Sequence, residues 1–170
     1  MYLLAVVIIY MILAKIFIDW NRWKEFYPTI QFFIICNLLY NFLFYQHTLW
    51  KYKSVTLPWL NHTLIELVFT FFIIPIALFI YLQYFPKGKN KLLYLGAWVS
   101  YFTLMELLCK SIGLFVYENG WHLGWSAFFN LIAFIILRLH YKNYVTAFFV
   151  SAVFMVILLF IFHPSLQEMK

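Results

Sequence analysis

Four polar pairs interrupt otherwise apolar segments of this chain, and the two residues of each pair are four positions apart. The pairs are Asn37 with Asn41, His62 with Glu66, Glu106 with Lys110, and Ser126 with Asn130. Residues four apart lie on the same face of an α-helix. An ionised side chain inside a bilayer costs at least about 2.5 kcal/mol unless it is paired or hydrated. We therefore expect the four polar faces to line one internal cavity.

Two of these residues, Glu66 and Glu106, are carboxylic acids of the type used in acid–base catalysis. Lys110 is the single cation in the four pairs, so one acid is in excess. Burial keeps a carboxyl group protonated and ready to donate. We predict that Glu66 or Glu106 is a general acid, and that Lys110 holds the other carboxylate ionised as a base or cation stabiliser. His62 is predicted to orient or reprotonate the acid.

The predicted substrate-binding residues are polar or interfacial side chains beside these acids: Asn37, Asn41, Ser126, Asn130 and Trp125. Two other interpretations stay open. The amides and the hydroxyl would also serve as hydrogen bonds between packed helices, and Glu106 and Lys110 would neutralise each other within one helical turn. A metal site of His62, Glu66 and Glu106 is weaker, because it lacks a second His. We predict no metal and no cofactor.

The elements that must position these residues are predicted to be membrane-spanning helices. The chain has 170 residues, of which 66% are hydrophobic and only 11% are charged, whereas soluble domains carry about 25% charged residues. A bilayer solvates the outward apolar faces that water would not. The net charge of +6 comes from Lys and Arg in short loops, which indicates membrane topology and excludes a nucleic-acid binding surface.

Six segments approach the roughly 20 apolar residues that a spanning helix needs. They cover about residues 2–18, 28–49, 60–84, 92–116, 123–139 and 145–162. Pro28 would occupy the first turn of the second helix, and Pro75 would kink the third. The predicted fold class is all-α, a polytopic transmembrane helix bundle forming a single domain over residues 1–170.

The distribution of basic residues predicts the orientation. One set of loops holds eight: Lys15, Arg22, Lys24, Lys87, Lys89, Lys91, Arg138 and Lys142. The opposite side holds three: Lys51, Lys53 and Lys170. The positive-inside rule therefore predicts that both termini face out and that the four polar faces lie in the outer half of the membrane. Trp and Tyr residues at the segment ends resemble an interfacial aromatic belt.

Several stretches resemble a family of small multi-span membrane proteins found in spore-forming Gram-positive bacteria. The stretches are Tyr27-Pro-Thr-Ile, Leu39-Tyr-Asn-Phe, Asn61-His-Thr-Leu-Ile-Glu66, Phe85-Pro-Lys-Gly, residues 113–125, and Leu137-Arg-Leu-His-Tyr-Lys142. The resemblance covers most of the chain. It implies a multi-pass protein of the bacterial plasma membrane and carries no activity with it.

Four polar residues also follow the order found in EXPERA-domain sterol isomerases: His62, Glu66, Glu106 and Asn130. Those enzymes place a His and a Glu four apart on one span, a Glu on the next and an Asn on the one after, and the resemblance implies protonation and deprotonation of an alkene. Lys110 has no counterpart there, and Ala133 stands where that family has Trp. Residues 64–75 are similar to part of the membrane-bound lycopene cyclases, without the Pro and second acid of their motif.

These observations predict an integral membrane protein that acts on a hydrophobic molecule in a buried polar cavity. The first hypothesis is an isomerase or cyclase that modifies a lipid or isoprenoid by acid–base chemistry. The alternatives are a module that binds or transports a lipid or small solute, and a structural membrane protein. The expected partners are membrane lipids and a hydrophobic small-molecule ligand, and the sequence leaves the oligomeric state open.

Overall fold

The computed structural model describes residues 2–54 and 59–170, and most of these residues are helical. The helices are α1 Tyr2–Phe17, α2 Trp23–Leu43, α3 His62–Val68, α4 Ile74–Gln83, α5 Lys91–Ser111, α6 Leu123–Lys142 and α7 Tyr144–Phe162. A 3-10 turn, Trp20–Arg22, precedes α2, and a π-helical segment, Phe69–Ile73, joins α3 to α4. The two short strands are β1 Trp50–Tyr52 and β2 Phe115–Tyr117.

Five helical stretches within the described residues are long and apolar enough to cross a membrane. They are Trp20–Leu43, His62–Gln83, Lys91–Ser111, Leu123–Lys142 and Tyr144–Phe162. The first helix, α1, is also apolar but has only 16 residues. Large apolar side chains are exposed on the outer helix faces, including Leu104 on α5 and Phe149 and Phe160 on α7. The chain therefore has the composition and helix lengths of a membrane protein, as its sequence predicts.

Two of the predicted helices end earlier than the sequence suggested, because a turn and then a short strand follow each of them. The segment predicted over 28–49 ends as a helix at Leu43 and continues into β1. The segment predicted over 92–116 ends at Ser111 and continues into β2. Trp, Tyr, Phe and Val suit a strand as well as an apolar helix, so composition did not separate the two.

The position of Pro28 also differs from the prediction. Helix α2 begins at Trp23, so Pro28 lies inside the helix rather than in its first turn. The chain enters α2 through the 3-10 turn, where the Asp19 side chain accepts a hydrogen bond from the Asn21 backbone N–H. This capped turn starts the helix earlier than the proline alone would indicate.

Helices α3 and α4 form one continuous stretch that widens just before Pro75. Proline lacks the N–H that would continue the regular hydrogen-bond ladder. The π segment ends at Ile73, two residues before Pro75, and the Ile74 N–H bonds to the carbonyl of Phe69. The widened turn carries the buried Thr70. Single π turns of this kind are frequent at functional sites.

Helix α6 lies between α5 and α7, while α2 packs against α4 and α6. The core between them is rich in aromatic side chains, of which Phe26 and Tyr81 are fully buried. The Tyr81 hydroxyl donates a hydrogen bond of 3.0 Å to the carbonyl of Phe134. A buried phenol in apolar surroundings needs such a partner, so this bond ties α4 to α6.

Strands β1 and β2 form an antiparallel ribbon at one end of the bundle. Trp50 pairs with Tyr117, and Tyr52 pairs with Phe115. Successive strand side chains point to opposite faces, so these aromatic residues share one face while Lys51 lies on the other. The ammonium group of Lys51 lies 2.6 Å from the carboxylate of Glu118.

The carboxyl-terminal residues fold back against the loop between α2 and β1. The backbone N–H of Gln46 donates to the carbonyl of Glu168 (2.8 Å), and the N–H of Lys170 donates to the carbonyl of Phe42 (3.2 Å). The Glu168 carboxylate accepts the Ser165 N–H at 2.7 Å and lies 3.2 Å from His47 Nδ1. The backbone N–H of Ser165 and then the His47 side chain lower the pKa of Glu168 to about 2.

We predict that acid detaches this tail. The pKa of Glu168 is lowered in the attached state, so its stabilising contribution is complete above the ordinary value near 4.5 and is lost as pH falls towards about 2. NMR amide signals of residues 165–170 in detergent micelles should shift towards disordered values within that window. In Glu168→Gln the same signals should show no transition there. A tail that detaches near neutral pH in the native chain would contradict this assignment.

Candidate functional site

A cavity of about 200 Å³ lies between α2, the α3–α4 stretch, α5 and α6, with the ribbon at one end. Six polar residues from the helical stretches line it: Asn37, Glu66, Thr70, Glu106, Ser126 and Asn130. The remaining wall is largely aromatic and includes Trp50, Tyr52, Phe69, Phe115, Trp121 and Phe129. Each of the four polar pairs of the sequence contributes at least one residue to this single cavity.

Glu66 is nine-tenths buried, with 9% of its surface exposed. One carboxyl oxygen, Oε1, accepts hydrogen bonds from Asn37 Nδ2 at 2.9 Å and from Asn41 Nδ2 at 3.4 Å. Asn37 Nδ2 also donates to Thr70 Oγ1 at 2.7 Å. The other oxygen, Oε2, is buried and has no hydrogen-bond partner within the described residues. A buried acceptor without a donor costs about 1–3 kcal/mol, so this atom is suited to receive a ligand group.

Glu106 has a different set of partners, all of them hydroxyl groups. Its Oε1 accepts hydrogen bonds from Tyr117 Oη at 2.7 Å and from Ser126 Oγ. Ser126 is buried and in turn accepts a 2.8 Å hydrogen bond from Trp121 Nε1. These two hydrogen bonds link Trp121, Ser126 and Glu106, and they connect α5, α6 and the turn between the ribbon and α6. Two O–H donors on one oxygen favour a carboxylate that accepts rather than donates protons.

The two ribbon phenols nearest the acids, Tyr52 and Tyr117, both have a raised pKa and stay neutral. Burial raises the pKa of Tyr52, and the charges of Glu66 and then Glu106 raise it further. Burial also raises the pKa of Tyr117, with its hydrogen bond to Glu106 as the next cause. Tyr52 lines the same cavity as Glu66 and Glu106, so the ribbon forms part of the surroundings of both acids.

Four of the predicted site residues lie outside the cavity wall. Asn41 reaches the site indirectly, through its hydrogen bonds to Glu66 and to the Asn37 carbonyl (2.9 Å). His62 is half-buried and accepts the backbone N–H of Tyr52 on Nδ1 at 3.2 Å. It therefore holds β1 in place rather than contacting the cavity.

Lys110 and Trp125 also have other partners than those expected. Within the described part of the chain Lys110 makes no ion pair with Glu106. Its ammonium group lies 4.1 Å from the centre of the Tyr117 ring, a cation–π contact. Lys110 thus reaches Glu106 through Tyr117. The Trp125 ring packs against Phe162, with ring centres 5.4 Å apart.

The site contains residues that sequence reasoning missed. Tyr117 and Trp121 lie between two predicted spans, and Thr70 lies within an apolar one, yet all three belong to the hydrogen-bond networks of the two acids. Thr70 lies four positions after Glu66, so the same spacing rule extended by one turn would have included it. Tyr117 had no such signal, because a strand pairing brings it to Glu106.

The acids are not arranged as a metal site. No group of three or more His, Cys, Asp or Glu side chains in residues 2–54 and 59–170 is close enough to hold a metal ion. His62, the nitrogen ligand of the alternative metal interpretation, uses Nδ1 to accept a backbone hydrogen bond. The cavity wall offers carboxyl, amide and hydroxyl groups together with the thiol of Cys109.

No family model, curated protein or solved structure matches the chain. The resemblances seen in the sequence therefore stay predictions, and the function must be argued from the cavity itself.

The Trp121–Ser126–Glu106 network predicts a stability effect. Ser126→Ala removes one donor to Glu106 and leaves the buried Trp121 Nε1 without its acceptor, at a cost of about 1–3 kcal/mol. The matched control is Ser111→Ala on α5, where an exposed hydroxyl bonds only to the Leu108 carbonyl of its own helix; this change should cost less than about 0.5 kcal/mol. Thermal unfolding of the purified chain in detergent compares them, and equal losses would contradict the network.

Proposed function

We propose that this chain is an integral membrane enzyme that binds a lipid or isoprenoid in the cavity and rearranges a carbon–carbon double bond by proton transfer. The observation that carries the proposal is the unequal surroundings of two carboxyl groups on one apolar, aromatic cavity. Glu66 has a free buried oxygen, whereas Glu106 accepts two hydroxyl donors. Pairs of acids with different surroundings are what acid–base catalysis uses to assign the donor and acceptor roles.

The membrane arrangement that we propose has six spans. Five of the spans are the long apolar helices, and the sixth is α1. The 16 residues of α1 extend about 24 Å at 1.5 Å per residue. A bilayer core of about 30 Å accommodates such a helix by local thinning and by snorkelling of flanking side chains such as Lys15. The basic loops then face the bacterial cytoplasm, both termini face out, and the acids lie in the outer half of the plasma membrane.

In the proposed reaction Glu66 is the general acid. Its Oε1 is occupied by amide donors, so the carboxyl proton would be carried by Oε2, beside the bound ligand. Transfer of this proton to one alkene carbon leaves a carbocation on the other. Loss of a proton from an adjacent carbon to Glu106 then forms the new double bond. The substrate keeps its atoms and electrons, and one proton has moved from Glu66 to Glu106, to be returned by exchange before the next turnover.

The surrounding residues have supporting roles in this proposal. Aromatic rings such as Tyr52, Phe69 and Phe115 line the cavity, and aromatic faces stabilise a passing cation. The Lys110 ammonium over the Tyr117 ring favours the Tyr117 hydroxyl as a donor to Glu106. Asn37 and Asn41 position Glu66, and His62 positions the ribbon.

The proposal is tested by comparing membrane lipids from cells that express equal amounts of four chains. These are the native chain, Glu66→Gln, Glu106→Gln, and the control Glu25→Gln, whose carboxylate pairs with Arg22 on an exposed surface. Loss of a general acid or base typically costs about 10²–10⁴-fold in rate. We expect a lipid or isoprenoid species to change with the native chain and with Glu25→Gln, and to stay unchanged with either cavity variant.

Thermal unfolding of the same four proteins separates loss of chemistry from loss of folding. Glutamine keeps an oxygen that accepts from Asn37, so Glu66→Gln should unfold within a few degrees of the native chain. Identical lipid profiles for all four chains would refute the enzyme. If a lipid then co-purified with the native chain and less with Glu66→Gln, the protein would be a binding module. That second function is favoured by the unpartnered acceptor Glu66 Oε2, which suits a ligand hydroxyl or amine.

A further inference from the structure

A second apolar depression adjoins the cavity and shares two residues with it. This tail groove, about 330 Å³ in volume, lies between α1, α4 and α5 and is lined by Leu13, Phe17, Ala97 and Trp98 among others. Tyr10 and Tyr101 line both the cavity and the tail groove. The two spaces are therefore neighbours that meet at one pair of tyrosines.

The two tyrosines are joined by a hydrogen bond between their hydroxyl groups, 3.0 Å long. Tyr10 is almost fully buried, with 7% of its surface exposed, whereas Tyr101 is 37% exposed. Helix α1 packs against α4 and the π segment, and α5 packs mainly against α6. This pair of hydroxyl groups thus links α1 to α5 where the cavity meets the tail groove. Tyr101 is the more exposed of the two, so its side chain has room to change rotamer.

The size of the cavity indicates that it holds only part of a lipid. Its volume of about 200 Å³ is below the roughly 300–1,000 Å³ of typical small-molecule sites. The tail groove adds about 330 Å³, and the sum falls within that range. The hydrocarbon chain of a long ligand whose polar end lies in the cavity must extend beyond the cavity. The shared residues Tyr10 and Tyr101 lie where the cavity meets the apolar tail groove.

Polarity decreases from the ribbon end of the cavity towards the tail groove. The acids and amides are at the ribbon end, while the tail groove is lined by apolar and aromatic side chains. From Glu106 to Tyr94, which lines the far part of the groove, the path along α5 covers twelve residues, or about 18 Å at 1.5 Å per residue. This is more than half of the roughly 30 Å hydrocarbon thickness of a bilayer, so the two spaces fit an amphiphile with one polar end and a long apolar chain.

We propose that the tail groove binds the hydrocarbon chain of such a ligand, whose polar end is a hydroxyl group that hydrogen-bonds to Glu66 Oε2. The chain passes the Tyr10–Tyr101 pair on its way from the cavity to the groove. This inference rests on the proposed function, in that it assumes a ligand in the cavity, and it adds the shape and class of that ligand. It does not depend on whether the ligand is chemically changed.

Photochemical labelling tests the path directly. The probe is geranylgeraniol with a photoreactive diazirine at its hydrocarbon end, irradiated with the purified full-length chain in detergent and mapped by mass spectrometry. Label is expected on the groove segments of α1 and α5, around Leu13 and Ala97. Label confined to α7, or found inside the cavity at Phe102 and Phe134 instead of the groove, would overturn the proposal.

A groove variant adds a test of chain length. Ala97 is exposed in the groove, so Ala97→Phe should fold normally while filling the space of the distal chain. Binding of geranylgeraniol should weaken about tenfold, the effect of leaving about two methylene groups unburied. Binding of the short alcohol geraniol, which does not reach the groove, should be unchanged. The matched control is Ala152→Phe on the exposed face of α7, which should leave the binding of both alcohols unchanged.

The outcomes separate this inference from the proposed enzyme. If Ala97→Phe affects both alcohols equally, or no more than Ala152→Phe does, the groove is not the tail site. If chain-length selectivity changes as expected while no lipid is converted in cells, the tail site stands and the acid–base chemistry falls. Glu66→Ala provides the opposite check, because it should weaken binding of both the long and the short alcohol.

Discussion

Burial of one carboxyl group and partial burial of a second among apolar helices is the constraint that shapes the centre of this protein. A buried acid without hydrogen-bond donors is costly, and the donors here come from elsewhere in the chain. Glu66 on α3 is bonded by two asparagines of α2. Glu106 on α5 is bonded by a serine of α6 and a tyrosine of β2. Satisfying both acids thus fixes how five separate elements approach one another.

The irregular parts of the backbone are found around this same centre. The π segment widens the helix at Thr70, beside the Asn37 amide. The short ribbon places Tyr52 and Tyr117 within reach of the acids. Elsewhere the helices pack through aromatic and aliphatic side chains. These departures from regular helix occur where polar groups are brought together, and one carboxyl oxygen there, Glu66 Oε2, is buried without a donor.

The i, i+4 spacing of polar residues predicted much of the cavity wall, but it also placed on that wall some residues that lie outside it. Asn37, Glu66, Glu106, Ser126 and Asn130 all line the cavity. Three of the i, i+4 partners, Asn41, His62 and Lys110, do not line it. Lys110 is an example: it faces the Tyr117 ring, a contact that exists only because β2 folds back over α5.

By itself the sequence determined the helical class, the apolar surface and the candidate acids, because helix periodicity and hydropathy are local properties of the chain. The tertiary structure alone decided where helices give way to strands near Leu43 and Ser111, and which donors meet which carboxylate. It also decided that Tyr10 and Tyr101, ninety-one positions apart, join at the boundary of two apolar spaces. These features depend on contacts between distant segments, and local residue preferences carry no information about such pairings.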